Sequence, residues 1–252
     1  MKTILIFKKE LKSYLTSPVY FLLAFIFTAF LSLRFLPIVF QFAQLSSMPA
    51  QMGGGANIHQ NVFMVHLNLV YLILLFLTPL ITMKLIAEEK KEKTIDLLLT
   101  SPVSSWSITM GKFFAAWFVV SLLLILALLY PLCLALVADY DFGPLVGSYL
   151  GMFLMLGLNT SVGLFASSLT SSSLMAAFIG LLMTLGVMLS GSLSGSINHP
   201  FWSQLAEQLS LVLHVQDFFN GVLDSSAFVF MFTTLFLFCF LTERVIESSR
   251  WR

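Results

Sequence analysis

Gly111 and Lys112 are adjacent, as they are at the end of a phosphate-cradling loop, where backbone amides hold a nucleotide and the lysine reaches its outer phosphates. The glycine that this pattern needs five positions earlier is Trp106, and the triple glycine at 53–55 has no lysine beside it. The chain therefore carries no means of hydrolysing ATP by itself. His59, His66, His199 and His214 lack the spacing of metal ligands, and no HExxH, CxxC or serine-elbow pattern occurs. Neither enzymatic activity, a resident metal nor a bound cofactor is expected. Every Asp and Glu falls in a loop or at a flank of an apolar run, so the mid-membrane carboxylate of a proton- or sodium-driven transporter has no counterpart. His66 and Asn68 are the only polar candidates there, and helix–helix hydrogen bonding accounts for Asn68.

What the residue types do suit is a mechanical contact. The stretch EEKKEKTIDLLLTSPVSSWSITMGK, Glu88 to Lys112, is the largest charged break between apolar segments, yet its middle is Leu97, Leu98 and Leu99. A solvated connector has no need of three leucines. Thr94 suits a helix cap, Asp96 complements the positive end of the helix dipole, and Glu89 and Lys93 are spaced four apart. Ser101 and Pro102 stop that short helix, and Ser104 or Ser105 starts the next. The leucines then dock on the protein's own core, on the lipid surface or on another protein, and the residues alone leave these open.

The elements that hold this stretch follow from composition. With 58% hydrophobic and 10% charged side chains among 252 residues, too little polar surface exists to cover a water-soluble globule. The apolar residues come in runs of about 20, the length a helix needs to cross a hydrocarbon core of about 30 Å. The expected fold is an all-α polytopic membrane protein, one transmembrane domain over residues 1–252. Its six spans fall at about 20–40, 62–86, 113–138, 145–165, 174–190 and 227–241. Before them, KTILIFKKELKSYLTS sets Ile4, Phe7 and Leu11 against lysines, the pattern of an in-plane amphipathic helix. Pro79 and Pro131 are candidate kinks in spans two and three. Glycines 147, 151, 157, 163, 180 and 186 predict close helix packing in spans four and five. Between spans five and six, Pro200 with Phe201, Leu205, Leu209 and Val212 predicts short re-entrant helices on the outer side. LTSPV occurs at Leu15–Val19 and again at Leu99–Val103, where Ser-Pro serves as a helix-start signal.

Counting charge decides orientation. Of thirteen Lys and Arg, only Arg34 lies away from the side that holds the N-terminus, the Glu88–Lys112 stretch and the C-terminus. That side is cytoplasmic by the positive-inside rule. Lys8, Lys9, Lys12 and Trp251 are expected at the inner membrane interface, and Arg34 snorkels to the outer one. Cys133 and Cys239 sit in apolar runs and act as small hydrophobes. A net charge of +1 gives no support for nucleic-acid binding.

The stretch EEKKEKTIDLLLTSPVSSWSITMGKFFAAW resembles the signature of type 2 ABC exporter permeases. KKELKSYLTSPVYF, QDFFNGVLD and LTERVIESSRWR resemble the branch associated with gliding motility. The resemblance implies a multi-pass permease of the bacterial inner membrane that pairs with a second copy or a paralogue. It also implies a separate ABC ATPase subunit, which binds the ATP and magnesium and pushes a coupling helix built from Glu88, Glu89, Lys93, Thr94, Asp96, Leu97, Leu98, Leu99, Ser101 and Pro102. The alternative is a membrane scaffold whose ATPase drives gliding motility or envelope assembly without moving a solute. The serines of SSLTSSS, at 167–173, are not expected to touch the ATPase. The inner faces of the spans carry no charged pocket, which favours a lipid-linked, polymeric or otherwise amphipathic cargo.

Overall fold

The computed structural model describes residues 2–48, 57–95, 103–138, 140–194, 218 and 225–250, and the described residues outside turns and loops are helical. Helix α1 (Lys2–Thr16) is followed by α2 (Pro18–Ser46), with Pro18 opening the second helix as the Ser-Pro signal predicts. A π-helical turn, His59–Phe63, leads into α3 (Met64–Thr82), and α4 (Ala87–Lys91) is a short charged helix. Then come α5 (Ser105–Leu134), α6 (Phe142–Leu169), α7 (Ser173–Ser194) and α8 (Ser225–Ser249). The expected re-entrant helices, with Pro200, Phe201, Leu205, Leu209 and Val212, lie outside the described residues, as does Trp251.

Among the described residues, five helical segments are long and apolar enough to cross a membrane: Pro18–Ser46, His59–Lys91, Ser105–Leu134, Phe142–Leu169 and Ser225–Ser249. A shorter apolar helix, Ser173–Leu189, accompanies them. The helix of the third expected span begins at Ser105, eight residues before the apolar run at Phe113. Local chemistry explains the early start: the Ser104 side chain accepts from the Ser107 amide at 3.3 Å, satisfying one of the helix's orphan N–H groups. Ser104→Ala is expected to lower stability by about 1 kcal/mol, read as a fall in thermal midpoint in detergent. Asp141 caps α6 in the same way, at 2.9 Å to the Gly143 amide.

Helix α6 packs against α3, α5, α7 and α8 and forms the centre of the bundle. Its most apolar window is 83% buried, against 11% for α2 at the periphery. Small residues permit this. Gly163 admits Thr82 of α3, Gly157 admits the Trp117 indole of α5, and Gly151 admits the Phe218 ring. The Phe218 carbonyl also accepts from Ser148 Oγ at 3.0 Å. Gly186 of α7 has open space around it, so the tight packing belongs mainly to α6. Asn68 differs from the expectation: it is exposed and its amide bonds the Met64 carbonyl one turn back on its own helix, at 2.8 Å. A polar side chain within reach of the backbone carbonyl four residues earlier needs no second helix. His66 is the residue that reaches across, from α3 to the Ala127 carbonyl of α5 at 3.1 Å.

Candidate functional site

The ion pairs among the described residues gather at the end of the bundle where α1, α4, the start of α5 and the end of α8 meet. At its centre is Lys112, 1% exposed. Its ammonium donates to Glu10 of α1 at 2.9 Å, to Glu89 of α4 at 2.8 Å and to the Leu85 carbonyl at 2.7 Å. All three of its protons thus have acceptors, which is what a fully buried ammonium requires. Lys9, mostly exposed, approaches the same Glu89 oxygen at 3.9 Å. One buried cation thereby ties α4 and α5 to α1, whose Glu10 lies 102 residues before it in the chain.

Each carboxylate is brought there by its helix. On α1, Ile6, Glu10 and Tyr14 follow at intervals of four, hence on one face. Ile6 presses against Gly111, where a Cβ would meet it at 2.8 Å, so glycine next to Lys112 is what lets α1 come close. Tyr14 donates to the Ile81 carbonyl of α3 at 2.8 Å. Burial, followed by the charges of Glu10 and Glu88, pushes the Tyr14 phenol well up, so it stays a neutral donor.

Helix α4 is gripped at its start by α6. Ser167 Oγ accepts from the Ile86 and Ala87 amides, both at 3.1 Å, and donates to the Met83 carbonyl at 2.9 Å. The hydroxyl supplies from a neighbouring helix the cap that Ile86 cannot. Lys90 Nζ adds a bond to the Ser168 carbonyl. The other end of α4 closes with a Schellman motif: Thr94 N–H donates to Glu89 O at 3.0 Å and Lys93 N–H to Lys90 O at 3.3 Å, with Lys93 at φ 57°. This left-handed residue redirects the chain at the point where the leucine-rich segment departs.

The geometry of the predicted site residues is therefore mixed. Glu88 pairs with Lys84 at 3.5 Å on the surface. Glu89 turns to Lys112 instead of Lys93, because the backbone reversal at Lys93 ends the helix on which an i, i+4 pair would form. Thr94 lies at the second residue past the α4 cap, its hydroxyl 3.4 Å from the Glu89 carbonyl. Asp96, Leu97, Leu98, Leu99, Ser101 and Pro102 lie outside the described residues. Lys8, Lys12 and Arg34 are exposed.

Where the chain returns, a second set of contacts meets it. Arg250 donates to the Val103 carbonyl at 2.9 Å and approaches Glu247 at 3.7 Å, and Ser105 Oγ donates to Glu247. These come from α8, which continues to Ser249 in place of ending near Leu241. Glu10, Ser167 and Glu247 were thus missed as partners. For Glu247 a signal existed: Cys239, Thr242 and Ile246, all buried, follow at spacings of three and four, the periodicity of a helix that has not stopped. The described residues on either side are held, Ile86, Ala87 and Glu89 by Ser167 and Lys112, and Val103 and Ser105 by α8 and the residue after it.

Residues 42–222, well over half of the chain, match the model of a family described as ABC-2 family transporter protein. No curated protein matches the chain.

Proposed function

This chain belongs to the ABC-2 transporter family, and on that footing we propose that it is the permease subunit of an ATP-binding cassette exporter, driven by a separate ATPase that docks at Thr94 to Pro102. In this reading α2, α3, α5, α6, α7 and α8 cross the bacterial inner membrane as six spans of one permease domain. Both termini and the Lys112 cluster face the cytoplasm. A second copy or a paralogue completes the pathway. The narrower kinship with gliding-motility permeases rests on segments at the two ends of the chain, most of which fall outside the matched residues 42–222.

The observation that carries the proposal is the buried Lys112 bridge. A connector that only joined two spans would be cheapest left in water, since burying an ammonium and two carboxylates carries a large desolvation cost. Here that cost is met at the root of the leucine-rich segment, so a push on the segment is delivered through Glu89 to Lys112 on α5 and on to Glu10 on α1. ATP and magnesium belong to the partner in this scheme, and the permease contributes a rigid lever.

The test is co-purification with the cognate ATPase. Leu97→Asp combined with Leu98→Asp is expected to reduce ATPase retention at least tenfold while the permease keeps its thermal midpoint. Unchanged retention would remove the docking role from this segment. ATP-dependent efflux from vesicles holding both subunits would then separate export from a force-bearing scaffold, which turns over ATP and releases nothing.

A further inference from the structure

An apolar recess of about 490 Å³ lies between α1 and the first half of α5. Thr3, Ile4 and Phe7 form one wall, and Phe114, Trp117 and Phe118 another. Two polar side chains of its lining are hydrogen-bonded to backbone: Trp117 Nε1 donates to the Phe153 carbonyl at 3.0 Å and Ser121 Oγ to the Trp117 carbonyl at 2.6 Å. Apart from Thr3 the rest of the lining is apolar, and the volume is that of a site for a small apolar ligand. Ile6 of α1 packs against Gly111 of α5, and at the wall of the recess Phe7 meets Phe118 edge-on with ring centres 6.3 Å apart.

Lysines continue along α1 beyond the recess. Lys8 lies one turn beyond Ile4 on the same edge of α1 and is exposed, with Lys12 a further turn on. Lys9 and Lys112 have carboxylate partners; Lys8 makes no ion pair among the described residues. An apolar slot beside a free ammonium, at the junction of an in-plane helix and a span, is complementary to a molecule with a hydrocarbon tail and an anionic head.

We infer that the recess holds one anionic phospholipid of the inner leaflet, its acyl chain against Phe114, Trp117 and Phe118 and its headgroup against Lys8. The inference rests on the topology given under the proposed function, in which α1 lies along the cytoplasmic surface. The occupant braces α1 against α5 immediately beside Gly111 and Lys112, which makes it a bound lipid of the lever and not the cargo.

Trp117 is a built-in reporter. In the full chain with Trp106, Trp202 and Trp251 replaced by Phe, reconstituted in phosphatidylcholine vesicles, a small fraction of phospholipid with brominated acyl chains is added, either phosphatidylglycerol or phosphatidylcholine. Brominated phosphatidylglycerol is expected to quench Trp117 several-fold more strongly at equal mole fraction. Lys8→Gln should bring the two lipids to parity, and Ser121→Phe, which fills the recess, should relieve quenching by both. Equal quenching by the two lipids in the parent chain, or a preference that survives Lys8→Gln, would reduce the recess to ordinary annular lipid and overturn the inference. Failure of the topology looks different: Trp117 would then be unquenched by either lipid and open to a water-soluble quencher.

Discussion

Lys112→Ala is expected to cost about 3–5 kcal/mol, the usual penalty for removing one partner of a buried ionic cluster. The reason lies in what remains. Glu10 and Glu89 have side chains only 13% and 16% exposed, both aimed at the position the ammonium leaves. Lys9, at 3.9 Å from Glu89 and largely in solvent, compensates little. The Leu85 carbonyl loses its donor as well. The variant should therefore yield little folded protein in detergent and show a markedly lower thermal midpoint. Lys112→Arg keeps the charge but must fit a wider planar fork into a fully enclosed site, so a substantial part of the loss should persist. The informative companion is Lys112→Met with Glu10→Gln and Glu89→Gln, which removes the cluster whole. Exchange of a complete buried ion set for neutral groups is often near neutral in stability, so this triple variant should fold. If Lys112→Ala proved as stable as the parent, the cluster would not be desolvated and the lever would lose its pivot. If the triple variant folds, binds the ATPase and still couples ATP turnover to transport normally, the bridge is structural only.

The long apolar helices were legible in the sequence because their signal is local: runs of about 20 apolar residues, a Ser-Pro start at Pro18, a Ser104 cap. The amphipathic character of α1 was legible for the same reason. The Lys112 bridge was not. Its partners are 102 and 23 residues away, and the only spacing rule that could assign Glu89 a cation from sequence, the i, i+4 rule, pointed to Lys93. A single left-handed residue at 93 voids that rule, and nothing about a lysine announces a positive φ. The Gly-Lys pair stands out in the sequence as the end of an incomplete phosphate loop; that the glycine seats Ile6 and the lysine gathers two carboxylates depends on where α1 comes to rest. Ser167 is a similar case. SSLTSSS offers no basic or apolar side chain to suggest a partner, apart from one leucine, yet its first serine caps a helix 80 residues earlier.

Gly163→Ala should be as damaging as its neighbourhood is tight. A Cβ there would lie 2.1 Å from Thr82 Oγ1 and 3.0 Å from Thr82 Cβ. Rotating the hydroxyl would relieve the first contact but not the second, and that hydroxyl is fully buried and bonded to the Thr78 carbonyl at 2.9 Å. Helices α3 and α6 must then move apart, which in lipid sacrifices the close packing that holds them together. Overpacking of this kind costs about 1–3 kcal/mol. Against it stands the gain of roughly 1 kcal/mol from replacing a helical glycine by alanine, and a control isolates the difference: Gly186→Ala, on α7, makes the same exchange with nothing within 4 Å. Thermal midpoints in one detergent should place Gly186→Ala at or above the parent and Gly163→Ala clearly below it. Thr82→Gly in the Gly163→Ala background should recover most of the loss, giving a coupling energy within about 0.5–3 kcal/mol for two residues in contact. The effect should not stop at stability. Ser167 stands one turn beyond Gly163 and holds the Ile86 and Ala87 amides, so a wedge at 163 lifts α6 from the start of α4 and draws Glu89 off Lys112. Gly163→Ala is then expected to weaken the response to the ATPase even at temperatures where the bundle remains folded, and the Thr82→Gly partner should restore that response together with the midpoint. Recovery of the midpoint alone would mean that α4 takes its position from the ion cluster without help from α6.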